Sequence, residues 1–309
     1  MELIRGLYSL KPRHHGCVAT IGNFDGVHRG HQAVLRQLAA RGREFGLPAT
    51  LITFDPLPQE FFLGDRAPAR LTRLREKLMV LRALGVERVL VLPFNAKLAQ
   101  TSAEDFVQSI LVTGLGIQHL VVGDDFRFGK GRTGDYTLLV ARGRQHGYAV
   151  ERTETFLCAE GERMSSTRVR EALGNGDFTL AERLLGQPYT SSGRVIHGDK
   201  RGRTLGFPTA NLRATHRNSP LRGVFAVEVT GADLTAAPAV CNVGTRPTFD
   251  GRGVLTEVHL LNYTGDLYSR RLELRWRHKL RSEQKFASLD ALRAQIARDI
   301  DEARSFFNL

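Results

Sequence analysis

Between about residue 17 and residue 150 the chain alternates short apolar runs with stretches of helical period, and this alternation limits the possible folds more than any other feature. The runs "CVATIG", "ATLITF", "RVLVLPF" and "HLVVGDD" have strand length and composition. Between and after them lie 30–45, "RLTRLREKLMVLRALG", "SAEDFVQSILVTGLG" and 136–146, each patterned as an amphipathic helix. Gly85 is placed to close the second helix, and Ser102 to cap the start of the third. Strands joined through helices run parallel, so the pattern predicts a parallel sheet with helices on both faces. Ligands of such sheets bind beyond the carboxyl ends of the strands.

The texture changes after "GQPYTSSG", residues 186–193. Two short helical segments, "SSTRVREALGNG" and "FTLAERLLG", precede the change. Beyond it come "SGRVIHG", "GVFAVEVTG", "PAVCNVG", "VLTEVHLLNY" and "RRLELRWRHKL", punctuated by Gly, Pro, Asn and Asp. That pattern predicts an antiparallel sheet or barrel, closed by a last helix over "SLDALRAQIARDIDEARSFF". A length of 309 residues suits about two domains. The predicted division near Pro188 gives domains 1–186 and 187–309.

Composition narrows the setting. The first residues hold no apolar signal core, and no apolar run approaches the length of a membrane span. The 3 cysteines, Cys17, Cys158 and Cys241, are far apart and form no CxxC pair, which predicts a reduced, cytoplasmic chain without a disulfide frame. A formal charge of +12 fits an anionic partner. The basic residues are scattered, so charge alone does not choose between nucleic acid, a membrane surface and phosphorylated small molecules.

The first chemical constellation is "TIGNFDGVHRGH", where an apolar run gives way to a helix. His28 and His31, at i and i+3, share a helix face. A helix N-terminus presents free N–H groups and the positive end of its dipole, a natural seat for phosphate. Gly22, Gly26 and Gly30 allow tight turning and close approach of the backbone to a ligand. No third ligand stands at a convincing zinc spacing, and G-x-x-x-x-G-K-[ST] is absent. "GLGIQH" nearly matches a dinucleotide loop but ends a helix ahead of a strand, so it reads as a C-cap. "VVGDDFRFGKG" follows a strand at its ligand-facing end, with acids and Phe-x-Phe suited to a sugar hydroxyl or ring. "MSSTRVREAL" opens a helix with hydroxyls and places Arg170 one turn on, a second anion seat or a plain N-cap.

The second constellation is "GRVIHGDKRGRTLGFPTANL", a basic, glycine-rich stretch able to wrap phosphates with backbone N–H groups, or else a long solvated hairpin loop. Thr209 and Asn211 point the same way if the segment is extended, and their oxygens suit magnesium. Glu257, in "LTEVHLLNY", sits on a strand face with Leu255, His259 and Leu261. On sequence alone it is either a half-exposed sheet acid or a general base.

"GNFDGVHRGH" with "SSTRVR" resembles the HxGH and xSSTxxR pair of the nucleotidyltransferase superfamily. Over essentially the whole chain, including "ARLTRLREK" and "GDDFRFG", the sequence is similar to bacterial bifunctional riboflavin kinase/FMN adenylyltransferases, or FAD synthetases. "GFPTAN" and "EVHLLNY" resemble the magnesium motif and catalytic glutamate segment of riboflavin kinases, and "CNVGTRPTF" their N-x-G-x-x-P-T-F segment.

The resemblance implies an α/β N-terminal domain, a Rossmann-like nucleotidyltransferase with a parallel sheet, followed by a β-barrel domain with a C-terminal helix. It implies two ATP-dependent steps, riboflavin to FMN and FMN to FAD, with magnesium as the metal. His28, His31 and Glu257 would be catalytic. Gly22, Gly26, Gly30, Ser166, Thr167, Arg170, Gly198, Lys200 and Gly202 would face ATP phosphates. Asp125, Phe128, Asn242 and Gly244 would face flavin, and Thr209 and Asn211 the metal. Riboflavin, FMN, FAD and ATP are then the partners, with no nucleic acid and no membrane. A nucleic-acid-binding barrel would need an aromatic stacking platform that the second half lacks. A class I synthetase-like ligase would need an amino-acid pocket and a tRNA-binding module. A flavin-binding regulator would differ from the enzyme in not turning over ATP.

Overall fold

A computed structural model describes residues 1–123, 125–153, 164–198, 206–213, 218–248 and 251–309, without the side chains of 245–248 and 251–253. The chain divides into two compact units, Met1–Ala67 with Thr72–Ser165, and Pro68–Leu71 with Ser166–Leu309.

The first unit runs β1 (Glu2–Arg5), β2 (Cys17–Ile21), α1 (Arg29–Phe45), β3 (Ala49–Phe54), α2 (Pro58–Leu63), α3 (Leu74–Ala83), β4 (Arg88–Leu92), α4 (Ala96–Ala99), α5 (Ala103–Phe106), β5 (Ile117–Gly123), α6 (Tyr136–His146) and β6 (Ala149–Thr153). Its strands form a 6-stranded sheet in the order β1-β4-β3-β2-β5-β6, with every pairing parallel. Alternation along the strands feeds two cores. Val18, Leu51, Val89, Val91 and Val121 pack with Leu35 and Leu38 of α1 and Leu81 of α3. Cys17, Ala19, Ile21, Ile52, Leu90 and Leu120 pack on the other face with Phe106, Ile110 and Leu139. Ser102 caps α5 as expected, its hydroxyl accepting from the Asp105 N–H at 2.9 Å. That helix continues as a π-helix over Val107–Val112.

Going from β2 the chain builds outward through β3 and β4, then crosses to place β5 and β6 on the other side. The switch point lies between β2 and β5, whose carboxyl ends flank the crevice where such sheets bind ligands. The helix expected over "RLTRLREKLMVLRALG" begins only at Leu74. Thr72 instead turns its backbone N–H and hydroxyl to the loop after β2, which keeps the approach extended. β1, α2 and β6 join the elements that hydropathy marked.

The second unit runs α7 (Ser166–Asn175), α8 (Phe178–Leu185), β7 (Thr190–Ile196), β8 (Ala210–Leu212), β9 (Gly223–Gly231), β10 (Leu234–Thr248), β11 (Gly251–Leu260), β12 (Arg271–Arg281) and α9 (Leu289–Phe306). The six strands close into a barrel, β10-β11-β8-β7-β12-β9, with antiparallel pairings. α9 covers Val224, Ala226 and Val240 with Ala303. The compact units part after Ser165, whereas the change in sequence texture lies at 186–193. The reason is packing: α8 buries Phe178, Ala181, Leu184 and Leu185, and Phe178 meets the core ring of Phe225 at 6.0 Å. Lys279 of β12 also donates to the Gly174 carbonyl at 2.9 Å.

Candidate functional site

In the first unit the loop between β2 and α1 leads directly off the switch point. Gly26 takes φ 81°, and Phe24 and Val27 also lie in the left-handed region, at φ 46° and 43°. Side-chain-bearing residues rarely adopt such angles, so the turn has to be held from outside. The Gly22 N–H donates to the Ile52 carbonyl at 3.0 Å. The Asn23 carbonyl accepts from the Thr53 hydroxyl at 3.4 Å and from the Lys77 ammonium at 2.6 Å. The Gly26 N–H donates to the Thr72 hydroxyl at 3.1 Å, and the Thr72 N–H donates to the Asp25 carboxylate at 3.2 Å. Gln32 reaches back to donate to the Val27 carbonyl at 3.0 Å.

The result is a fixed pair of imidazoles. His28 is the N-cap of α1, and its Nδ1 accepts from the His31 backbone N–H at 3.3 Å. An Nδ1 that accepts leaves the proton of the neutral ring on Nε2, which can donate to a ligand. The two rings stack at 3.7 Å between centroids, and Phe24 lies 4.8 Å from His31. His28 is 6% exposed. Burial first, then the nearby His28 and Lys77, hold His31 well below the ordinary histidine range, so it is a neutral donor and acceptor at pH 7. Its Nδ1 is buried and has no hydrogen-bond partner among the described residues. Gly30 occupies the first turn of α1.

The same edge of the sheet carries more. Asp125, after β5, is exposed. Phe128 does not face outward as expected of a flavin contact: it is 7% exposed and packs with Phe106 and Phe126. Gly134 permits that packing, since a Cβ there would fall 2.7 Å from the Phe128 ring. Sequence reasoning missed a cluster of rings at the carboxyl ends of β3 and β4. Phe94 stands 5.7 Å from Phe54 and 5.6 Å from both Phe61 and Phe62, and Phe62 is 63% exposed. "QEFFLG" was visible but carried no pattern that separates a surface patch from a core run.

In the second unit, Ser166 opens α7 and Thr167 is exposed in its first turn. Arg170 donates from Nε to the Ala69 carbonyl at 2.5 Å, within the same unit. The barrel brings together residues from three of the quoted motifs. Asn211 of β8 is the direct antiparallel partner of Glu257 on β11, and Glu257 is in turn the partner of Asn242 on β10. Directly opposed residues share a sheet face with neighbouring Cβ atoms, so these three polar side chains form one row. Asn211 is 8% exposed. Gly198 lies against it, and a Cβ at 198 would sit 2.4 Å from the Asn211 amide nitrogen. Lys200 and Gly202 lie outside the described residues. Cys241, beside this row, has its thiol pushed well above the usual range by burial and then by the charge of Glu257. Gly244 leaves room for the Glu283 carboxylate, 2.5 Å from where its Cβ would be.

His259 donates from Nδ1 to the Pro208 carbonyl at 2.8 Å, which fixes the extended approach to Thr209. Beside Thr209 opens a cavity of about 470 Å³, lined also by Val195, Pro208, Ala210, Val258, Leu260 and the turn Tyr263–Tyr268. Asn211 and Glu257 are not among its lining residues. The turn, "YTGDLY", was not singled out in the sequence; its two tyrosines beside Gly and Asp were the available signal. Tyr268 stacks on His197 at 4.0 Å. Thr209 and Asn211 offer neutral oxygens suited to a hard cation. Among the described residues there is no cluster of three or more His, Cys, Asp or Glu that could hold a metal.

Comparison with known proteins gives two family models. One described as FAD synthetase matches residues 10–168, and one described as riboflavin kinase matches residues 185–307. The bifunctional riboflavin kinase/FMN adenylyltransferase of Escherichia coli K12 is 52% identical over 310 residues, covering 100% of this chain and 99% of the relative. The protein of the same name from Haemophilus influenzae is 45% identical over 308 residues, covering 100% of both. A crystal structure described as a macrolide-efflux protein from Streptococcus pneumoniae superposes with a TM-score of 0.80 at 29% identity, over 98% of this chain and 99% of that one. In this chain, no helix among the described residues is long and apolar enough to cross a membrane. With both family models matched in order and 52% identity along its whole length, the chain belongs to the bifunctional riboflavin kinase/FMN adenylyltransferase family.

Proposed function

We infer how this chain divides the work of its family between its residues. It is a riboflavin kinase and FMN adenylyltransferase: it phosphorylates riboflavin to FMN with ATP, then adenylylates FMN to FAD with release of pyrophosphate. Residues 1–186 carry the second reaction and residues 187–309 the first.

In the kinase reaction the ribityl hydroxyl of riboflavin attacks the γ-phosphorus of ATP, the bond from that phosphorus to the β,γ-bridging oxygen breaks, and ADP leaves. An alcohol is a weak nucleophile at neutral pH, and Glu257 accepts its proton. Thr209 and Asn211 would hold a divalent ion, taken as magnesium, which would neutralise charge on the phosphates. The cavity beside Thr209, with its two tyrosines, receives the base and ribose of ATP. Gly198 lies along the phosphates, Lys200 and Gly202 are assigned to them on their motif alone, and Asn242 and Gly244 border the flavin. The observation that carries this reading is the register that sets Asn211, Glu257 and Asn242 side by side.

In the adenylyl transfer the FMN phosphate attacks the α-phosphorus of a second ATP. That nucleophile is already ionised, so stabilisation of the developing charge matters more than a base. His28 donates from Nε2 and His31 from its neutral ring to the α-phosphate oxygens. Gly30, in the first turn of α1, brings a backbone N–H to the same anion, whereas the N–H groups of Gly22 and Gly26 are taken by the Ile52 carbonyl and the Thr72 hydroxyl, so these two glycines shape the turn and do not donate to phosphate. Ser166, Thr167 and Arg170 are assigned to the β- and γ-phosphates on their motif. Phe61 and Phe62 offer flat apolar rings to the isoalloxazine, Asp125 a polar contact, and Phe128 backs Phe126. A cytoplasmic setting suits the buried thiols of Cys17 and Cys241, and no step calls for nucleic acid or membrane.

The test is reciprocal inactivation in one chain. Glu257→Gln should abolish FMN formation yet convert supplied FMN to FAD, and a His28→Ala, His31→Ala double variant should do the reverse. Chromatography of the products decides it. Loss of both activities in either variant, with melting unchanged, would defeat the division.

A further inference from the structure

Lys77 is 2% exposed, on the first full turn of α3. Lysine is almost never so buried unless its ammonium is engaged. Here the ammonium donates to the Asn23 carbonyl at 2.6 Å, in the loop that ends at His28. With the two Thr72 hydrogen bonds, it makes three bonds from the segment 72–77 to residues 23–26. That stretch contains the left-handed Phe24 and Gly26, and Phe24 packs against His31.

We propose that Lys77 is a positioning residue of the adenylyl-transfer site: it fixes the Asn23–His28 turn and brings a positive charge to the neighbourhood of the stacked histidines. The inference rests on the reading of His28 and His31 given above. Its physical content is twofold. A turn with unfavourable backbone angles relaxes when its clamp is removed, and the imidazoles move with it. A charge removed from water also acts more strongly than a surface lysine, and the site must accept the triphosphate of ATP. The same charge contributes, after burial and His28, to keeping His31 neutral. A clamp alone would be satisfied by any donor of suitable reach, whereas the proposal requires the charge as well.

The experiment uses the full chain. Lys77→Met keeps the stem and removes donor and charge. Lys77→Gln keeps a donor and removes the charge, and Lys77→Arg keeps both. Each is assayed for FMN adenylylation with supplied FMN, for riboflavin phosphorylation on the same sample, and for thermal melting. The proposal expects kcat for adenylylation to fall about tenfold or more in the Met and Gln variants, with the KM for ATP within about threefold and kinase activity unchanged. Lys77→Arg should recover most of the loss. If the Met variant fails to fold, the Gln variant decides alone. A folded Gln variant at the wild-type rate overturns the proposal. So does a loss shared equally by Gln and Arg that follows a lowered melting transition, which would make Lys77 a structural clamp. A His31→Ala control separates the two levels: if that variant keeps full adenylylation, the reading of the histidines fails, whatever Lys77 does.

Discussion

The loop after β2 and the strand row in the barrel both direct polar groups at phosphate chemistry, and they are built by opposite means. In the loop, His28 and His31 are neighbours because they sit three residues apart on one helix turn, and their rings stack at 3.7 Å. In the barrel, Asn211, Glu257 and Asn242 come from three strands and meet only through antiparallel register. A site made locally fails when its own backbone relaxes. A site made by register tolerates local change and fails when a neighbouring strand shifts or a side chain in the row is displaced.

The largest effect should come from the register-built site, because its proposed base has no substitute next to it in the row. Glu257→Gln keeps the shape between two asparagines and should lower riboflavin phosphorylation by roughly a thousandfold. Quenched-flow or steady-state assay of FMN checks it, with FMN-to-FAD conversion on the same sample as the control. Full kinase activity would show that the row is structural and that the reacting hydroxyl lies elsewhere.

The local site should lose somewhat less. His31→Ala removes one of two adjacent donors and should lower adenylylation by about a hundredfold, with phosphorylation unchanged. Because His31 also packs against Phe24, Phe24→Leu separates ring packing from donation: it should leave more than half the rate. Equal loss in both variants would mean that the loop needs the stack rather than the imidazole.

This contrast also explains what the sequence made legible. His28 and His31 were readable because helical spacing, a cap position and glycines occur within one short stretch. The parallel sheet was readable because each strand and helix carries its own period. Strand register has no such local signature, so the row of Asn211, Glu257 and Asn242 could be assembled only from resemblance. Phe128 was misread because Phe-x-Phe says nothing about which ring turns inward; Gly134 decides it by making room. Lys77 and Thr72 were hidden inside an apparently regular helix, since a hydrogen bond to a loop distant in sequence leaves no mark on hydropathy. The helix start was shifted to Leu74 for the same reason.

A subtler substitution sharpens the register argument. Gly198→Ala adds one carbon 2.4 Å from the Asn211 amide nitrogen, so the amide must turn away from its place beside Glu257. The expected result is about a tenfold fall in kinase kcat, with adenylylation intact. The paired variant Asn211→Ala removes the amide and should make the added methyl at 198 harmless. Additive losses in the double variant would show that Gly198 acts through something other than Asn211.

The smallest effect tests how local the loop site is. α1 begins at the histidines, but farther along it is tied to the sheet by Glu151, whose carboxylate accepts from Gln37 at 2.6 Å, Arg41 at 2.7 and 2.9 Å, and His119 at 2.9 Å. The Arg41 hydrogen bond first, aided by His119 and Gln37 and opposed by burial, lowers the Glu151 carboxyl to about 2. A carboxyl depressed on folding adds stability that is complete above its unfolded pKa of about 4.3 and is lost as pH falls through the folded value. Since Glu151 is 23% and Arg41 37% exposed, solvent screening reduces the contribution to about 1–2 kcal/mol. Glu151→Gln should therefore destabilise the first unit by that amount at pH 7, and the gap from the unsubstituted chain should narrow between about pH 4 and pH 2. Urea unfolding at pH 7 and pH 3 measures it. Adenylylation at pH 7 should stay within about twofold, because the clamps on the imidazoles lie on β3 and the 72–77 segment and not on β6. A large loss of rate with intact folding would mean that the far end of α1 also sets the histidines, and the loop would no longer count as a locally built site.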